Sequence, residues 1–466
     1  MTVSADQSKG SGVINRIETT SDTLTSRGGL SLFVRYLRHI ELAPHLERLF
    51  GTIRKSAKGQ VVAEVFKQLF CFFMDGTSRH LVQFDALKED RGYATTIESR
   101  PEVMASSHAI KRFLSAFSWY RIWLFRRLLQ ALFLWRLRIE QPKVVVLGVD
   151  TMVMDNDEAV KRHGVQPTYK RVKGFQPLQM SWGRYVVDAV FRGGKKHSNH
   201  GETVAQMVRH MVGKIRRHYR QQVAIVVRLD SGFFDQELFE VFEGLKIGYT
   251  CSGKLYEDIR AYVEAVDESV WGRYQNAGQA WDYVEFGDRR GNWSIFRRAF
   301  YCRPVYEGTQ QLLHFARPET VLYTNLGMGA EVDKQLEDAG LGHWLKAAGI
   351  IECAHGHGRD ELVHRALKEF GPETLPFKRF APNAVFYYTM LVAFSLYEAF
   401  KEDVCRTVVP IGAYATTLRR KLIDLAAKIV HKSGQIILKV TTTTWRRLKI
   451  EELWHKSGEP PRFVWA

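Results

Sequence analysis

Paired cysteines are missing from this chain. Its five cysteines, Cys71, Cys251, Cys302, Cys353 and Cys405, are scattered through 466 residues. No disulfide framework or zinc knuckle follows from such spacing, and a reducing cytosol is the expected setting. The N-terminus lacks the apolar core of a signal peptide. Long hydrophobic runs are also missing. The most apolar stretch, Val385 to Phe400, is too short for a membrane span and carries Glu398 and Lys401 at its end, so it reads as a buried core helix. No internal repeat is visible. Low complexity is confined to a Ser-, Thr- and Gly-rich tail through about Arg27, expected to be mobile.

Negative charge is in short supply. Lys and Arg number 67 against 50 Asp and Glu, a formal +17. That balance favours a polyanionic partner, because each neutralised phosphate releases counterions. With 45 % hydrophobic residues the chain can bury a sizeable core across two or three domains.

Residues 28–140 read as helical. Val62–Phe73 and Ile122–Trp135 are apolar with polar residues at helical intervals, and Ser106–Phe117 opens on cap residues. At Pro142 the character changes. Val144–Val149 is a continuous apolar run, as in a strand buried on both faces. Extended segments follow at Leu178–Trp182 and Arg184–Phe191, a helix over 202–221, a second buried strand over Val223–Leu229 and a helix over Phe233–Phe242. Residues 252–349 alternate short extended stretches with turns and read as a strand-rich insertion. Helices return after Glu361, with Thr417–Lys432 expected to be a basic helix and 433–466 a C-terminal extension.

Two of the apolar runs end in aspartate: Asp150 after Lys143–Val149, and Asp230 after Val223–Leu229. Downstream, Glu361 opens a polar helical stripe with His364, Arg365 and Lys368, opposite Leu362, Val363, Ala366 and Leu367. Carboxylates delivered by rigid elements to one place suit a pair of hard divalent cations. A structural reading stands beside each. Asp230-Ser-Gly can turn the chain and cap the next helix, Asp150 can be a polar strand end, and Glu361–Arg365 can be an ordinary pair one turn apart. His355-Gly-His357, with no Cys or His to match it, does not amount to a zinc site.

The order of elements resembles the RNase H-like core of bacterial insertion-sequence transposases with an Asp-Asp-Glu triad. In that family the first Asp lies on the first strand, the second follows the fourth, and the Glu lies on a late helix after an insertion. Glu361 and Lys368, seven apart, are similar to the Glu and Lys of the Tyr-Arg-Glu-Lys signature of a cut-and-paste group. Asp230-Ser-Gly-Phe resembles its second-Asp motif, and Gly174-Phe-Gln-Pro177 the motif after the first strand. By spacing, however, Ala354 and His357 occupy the signature's Tyr and Arg positions, leaving Arg359 or a protonated His357 to supply the cation. Asp155 and Asp157 are further acids near the first motif.

The resemblance implies an α/β fold. Its RNase H-like core would comprise 141–251 and 350–432, interrupted by the insertion, with 28–140 as the DNA-reading domain and Ser106–Phe117 as its recognition helix. It implies catalysis and Mg²⁺ binding (Mn²⁺ substituting) by Asp150, Asp230 and Glu361. DNA contacts would come from Lys368, Arg365, Arg359 and His357. Trp293, preferred over Trp271 and Trp281 for its Arg297-Arg298 neighbours, would stack a flipped base. Double-stranded DNA, as terminal inverted repeats and target, is the expected partner of a homodimer acting in the bacterial cytoplasm at the nucleoid, with no membrane. A metal nuclease on the same fold without strand transfer, and a domesticated DNA-binding protein, are the rival expectations.

Overall fold

The computed structural model describes residues 14, 16–53, 60–196, 198–276, 278–291, 293–305 and 319–465. Its centre is a nine-stranded mixed sheet. In chain order the strands are β1 (Val144–Thr151), β2 (Leu178–Trp182), β3 (Tyr185–Val190), β4 (Ala224–Leu229), β5 (Gly248–Ser252), β6 (Gly272–Asn276), β7 (Gln279–Asp288), β8 (Arg297–Val305) and β9 (Thr320–Thr324). Across the sheet they run 6-7-8-9-5-4-1-2-3. β1, β2 and β3 form an antiparallel meander, and β4 lies parallel to β1 on its other side, followed by parallel β5. The parallel strands are joined through helices Thr203–His218 and Gln236–Gly244, as such crossovers require. β1 and β4 are central and buried on both faces, which is why they read as unbroken Val/Ile/Leu runs.

The strand-rich insertion is not a separate sheet among the described residues. β9 pairs antiparallel with β5, so β6–β9 prolong the same sheet. Residues 28–140 are helical, but their helices share one hydrophobic core with the sheet and do not form a core of their own. The link is helix Phe380–Phe400, buried on all sides between helices Val62–Asp75 and Trp119–Glu140 and strand β3. An all-round apolar helix of this kind needs a buried place rather than one apolar wall. Among the described residues no helix is long and apolar enough to cross a membrane.

Two terminal expectations change. Residues 1–13 and 15 of the tail lie outside the described residues, but Thr23–Thr25 form a strand against Ala427–Lys432. The basic helix expected over 417–432 ends at Ile423. Ala427–Lys432 is the middle strand of a small sheet, with Gln435–Lys439 on its other edge.

Candidate active site at the ends of the central strands

β1 and β4 run side by side in register, Val149 opposite Leu229. Asp150 therefore sits in the last turn of pleat of β1, and Asp230 follows the last residue of β4 at the same edge. Glu361 is in the first turn and a half of helix His357–Phe370, which packs on β1. Its charge acts on both aspartates, so the structure brings these acids into one electrostatic neighbourhood.

Asp150 is 9 % exposed, and its carboxylate accepts from the Thr151 backbone N–H at 2.6 Å. Burial, and then the neighbouring Asp230 charge, push its carboxyl up to about 7. Asp230 is also raised, chiefly by burial. It accepts from Gly232 N–H at 2.9 Å, so it does shape the turn that follows. Capping of helix Gln236–Gly244 falls instead to Asp235, which accepts from Glu237 and Leu238.

Two histidines flank the acids. His364 Nδ1 lies 3.5 Å from Asp150 Oδ2. Burial, and then the charge of His357, lower it to about 4, so this contact is not an ion pair. His357 behaves oppositely. Burial pulls it down, but Asp360, Asp150 and Asp230 together raise it. Its Nδ1 is 3.7 Å from Asp360 Oδ2, and neither atom has a hydrogen-bond partner.

The remaining cations of the helix fan outward. Lys368 pairs with Glu373 at 2.6 Å, and Arg365 is exposed, lying 5.2 Å from the Tyr414 ring centroid. The side chain of Arg359 lies outside the described residues. Asp155 and Asp157 serve the loop after β1: Asp155 accepts from Asp157 N–H and Asp157 from Lys173 N–H. That loop pairs back on Lys173–Phe175, where Gly174 is required because a Cβ would stand 1.9 Å from the Met154 carbonyl oxygen.

Trp293 is not at the site. It is 8 % exposed and packs against Phe234, Phe239 and Tyr323, with Arg297 over its ring at 4.8 Å. Arg297 is itself buried and bound to Glu243, so neither residue presents a surface to DNA. Trp281 meets His355 at 4.4 Å between ring centroids, and Trp271 carries Arg303 at 3.8 Å. The aromatic that does face the acids is Tyr169, which is 60 % exposed. Its hydroxyl is raised to about 12 by partial burial and then by the charges of Asp150 and Asp230. Only its neighbours Lys170 and Arg171 signal it in the sequence.

Among the described residues no three His, Cys, Asp or Glu side chains close on one point as a ready-made metal cage. The donor chemistry nonetheless fits a hard divalent cation. The acids are oxygen donors, the aspartates are mutually repelling, and no Lys or Arg is paired with Asp150 or Asp230 among the described residues.

No curated protein matches the sequence significantly. A solved structure, the cryo-EM structure of a piggyBac transposase synaptic complex with hairpin DNA, aligns with 87 % of this chain and 83 % of that one. It does so at 11 % identity and a TM-score of 0.37, a likeness that transfers neither fold nor residue roles. The sequence does match the family described as Transposase DDE domain group 1, over residues 9–453. With nearly the whole chain matched, the protein belongs to the DDE transposases and is a DNA-cleaving and DNA-joining enzyme.

Proposed function

We propose that this transposase cuts the ends of its own element and joins their 3′-hydroxyls to target DNA, using Asp150, Asp230 and Glu361 to hold Mg²⁺. The observation that supports the reading most is the pair of strand-end aspartates, adjacent on β1 and β4 and answered by no Lys or Arg among the described residues. The strand order 3-2-1-4-5 within the sheet supports an RNase H-like core over 141–251 and 350–432. Bound cations would supply activation of the attacking oxygen and stabilisation of the leaving one.

The chain's own residues do the rest. Thr151 N–H holds one oxygen of Asp150, and the other lies 3.5 Å from His364 Nδ1, with no fixed cation on either. His357 is held toward its protonated form by Asp360, Asp150 and Asp230 against the pull of burial, which suits it to meet a phosphate near these acids. Arg365 is free to contact a flanking phosphate, while Lys368 reaches one by exchanging Glu373. Tyr169 offers a hydroxyl at the same edge. Two element ends must be brought together, which supports a homodimer on DNA.

The test is Asp230→Asn on DNA carrying the inverted repeats that flank the reading frame. Cleavage in Mg²⁺ is expected to vanish while repeat binding stays nearly intact, because affinity comes mainly from cations on phosphates. Wild-type cutting by the variant would overturn the assignment. Pre-cut ends that fail to join to target DNA would leave a nuclease without strand transfer.

A further inference from the structure

The residue before Glu361 is unlike its neighbour. Asp360 is 2 % exposed, whereas Glu361 is exposed. Asp360 Oδ1 accepts from Arg228 Nη2 at 2.7 Å. Arg228 lies on β4 two residues before Asp230, and its register partner on β1 is Gly148, two residues before Asp150. Residues two apart on a strand share a face. The missing side chain at Gly148 leaves a gap on the face that carries Asp150, and Asp360 fills it. A Cβ on Gly148 would stand 2.5 Å from Asp360 Cγ and Oδ2. At the start of the same helix a Cβ on Gly356 would stand 2.0 Å from Arg228 Nη1. Two glycines thus admit one Asp–Arg pair between helix and sheet.

The pair is poorly suited to stabilising the fold. Arg228 Nε and Asp360 Oδ2 are buried without hydrogen-bond partners, and such groups cost free energy. Val363 and Leu367 seat the helix in the core, but its packing beside the pair is incomplete. A cavity of about 500 Å³ opens beside the pair, lined by Val144, Val146, Val363 and Ala366 among others. In some proteins a buried ion pair that stabilises little fixes register instead.

We propose that Asp360 is a positioning residue: locked to Arg228 over Gly148, it sets the first turn of the helix so that Glu361 is delivered to Asp150 and Asp230. The proposal rests on the reading that these three acids hold divalent cations. Asp360 itself is paired with Arg228, with His357 beside its other oxygen, and holds no cation on this reading.

Mn²⁺ uptake by titration calorimetry, with melting of the metal-free protein as the check on folding, tests this. Asp360→Asn leaves Arg228 buried and unpaired, and can fail to fold. The double variant Arg228→Met/Asp360→Leu replaces the pair by apolar groups of similar volume, a change that is often neutral or stabilising. It is expected to melt at or above wild type yet bind Mn²⁺ about 10–100-fold more weakly, the range seen when groups that orient a ligand are removed. Gly148→Ala, which displaces Asp360 by bulk alone, is expected to weaken Mn²⁺ binding in the same direction. A folded double variant with wild-type Mn²⁺ affinity would overturn the positioning claim alone. Wild-type protein that takes up no Mn²⁺ would overturn the metal reading and the positioning claim together.

Discussion

Asp188 and Asp150 are both buried acids of the same sheet, and the chain treats them oppositely. Asp188 on β3 is 0 % exposed and fully answered. Arg126 donates to it through Nε at 2.8 Å and Nη2 at 2.7 Å, Gln130 Nε2 at 3.0 Å, and its neighbour's backbone N–H at 2.8 Å. Asp150 has one backbone donor, a neutral histidine and a like charge beside it, and His357 offsets burial and that charge only in part. Asp188 is a framework acid whose counter-charge is built into the fold. On the proposed function, Asp150 is left for a counter-charge that arrives from outside. Burying an acid without a fixed cation is costly, and the cost is tolerated where function needs it.

The largest expected effect breaks the framework side. Arg126→Met leaves Asp188 buried and unpaired and is expected to cost about 3–5 kcal/mol, read from denaturant unfolding. A loss below about 1 kcal/mol would mean that Asp188 is not framework after all. The same contrast holds among cations. Arg297 is buried under Trp293 and bound to Glu243, so Trp293→Ala should act through stability, at about 3–5 kcal/mol. Nicking and end release should then fall together. Selective slowing of the second step at unchanged stability would return Trp293 to the DNA.

A smaller effect sharpens the site side. Asp150 has a folded-state carboxyl raised from 3.8 to about 7, so the native state holds its proton more tightly than the unfolded chain. Metal-free stability should therefore fall as pH rises from about 4 to 7, by at most about 1.4 kcal/mol per pH unit for this group. Asp150→Asn should flatten that slope, and an unchanged slope in thermal melts across pH would refute the cause given. The smallest effect is at Lys368. Its pair with Glu373 is partly exposed and worth about 0–1 kcal/mol, so Lys368→Met should barely move stability. If Lys368 contacts a phosphate, the salt slope of DNA binding should drop by about 1.

The strands that carry Asp150 and Asp230 were legible in the sequence because their pattern is local. An apolar run ending in Asp announces a buried strand with a charged tip, which is where β1 and β4 carry Asp150 and Asp230; their role rests on the family resemblance. Glu361 was singled out by the resemblance of Glu361 and Lys368 to a family signature, since the helical stripe alone fits an ordinary solvated face equally well. Asp360 was not legible, because its partner Arg228 lies 132 residues away and only tertiary packing joins them. Trp293 was misread for the same reason. An aromatic beside two arginines looks like a DNA surface until Glu243 is found holding Arg297. The helical segment 28–140 carried a clue that went the other way: Val62–Asp75 is buried on nearly all faces, which a small free-standing bundle cannot provide. The strand Ala427–Lys432 resembled a helix because its partners, Thr23–Thr25 and Gln435–Lys439, belong to segments with little pattern of their own.

The account stands or falls on whether the unanswered aspartates take a divalent cation. Mn²⁺ titrated into metal-free wild-type protein and into Asp150→Asn/Asp230→Asn, followed by calorimetry, asks this directly. The account predicts uptake by wild type, with a rise in melting temperature, and loss of both in a variant that stays folded. Equal uptake by the two proteins would contradict it.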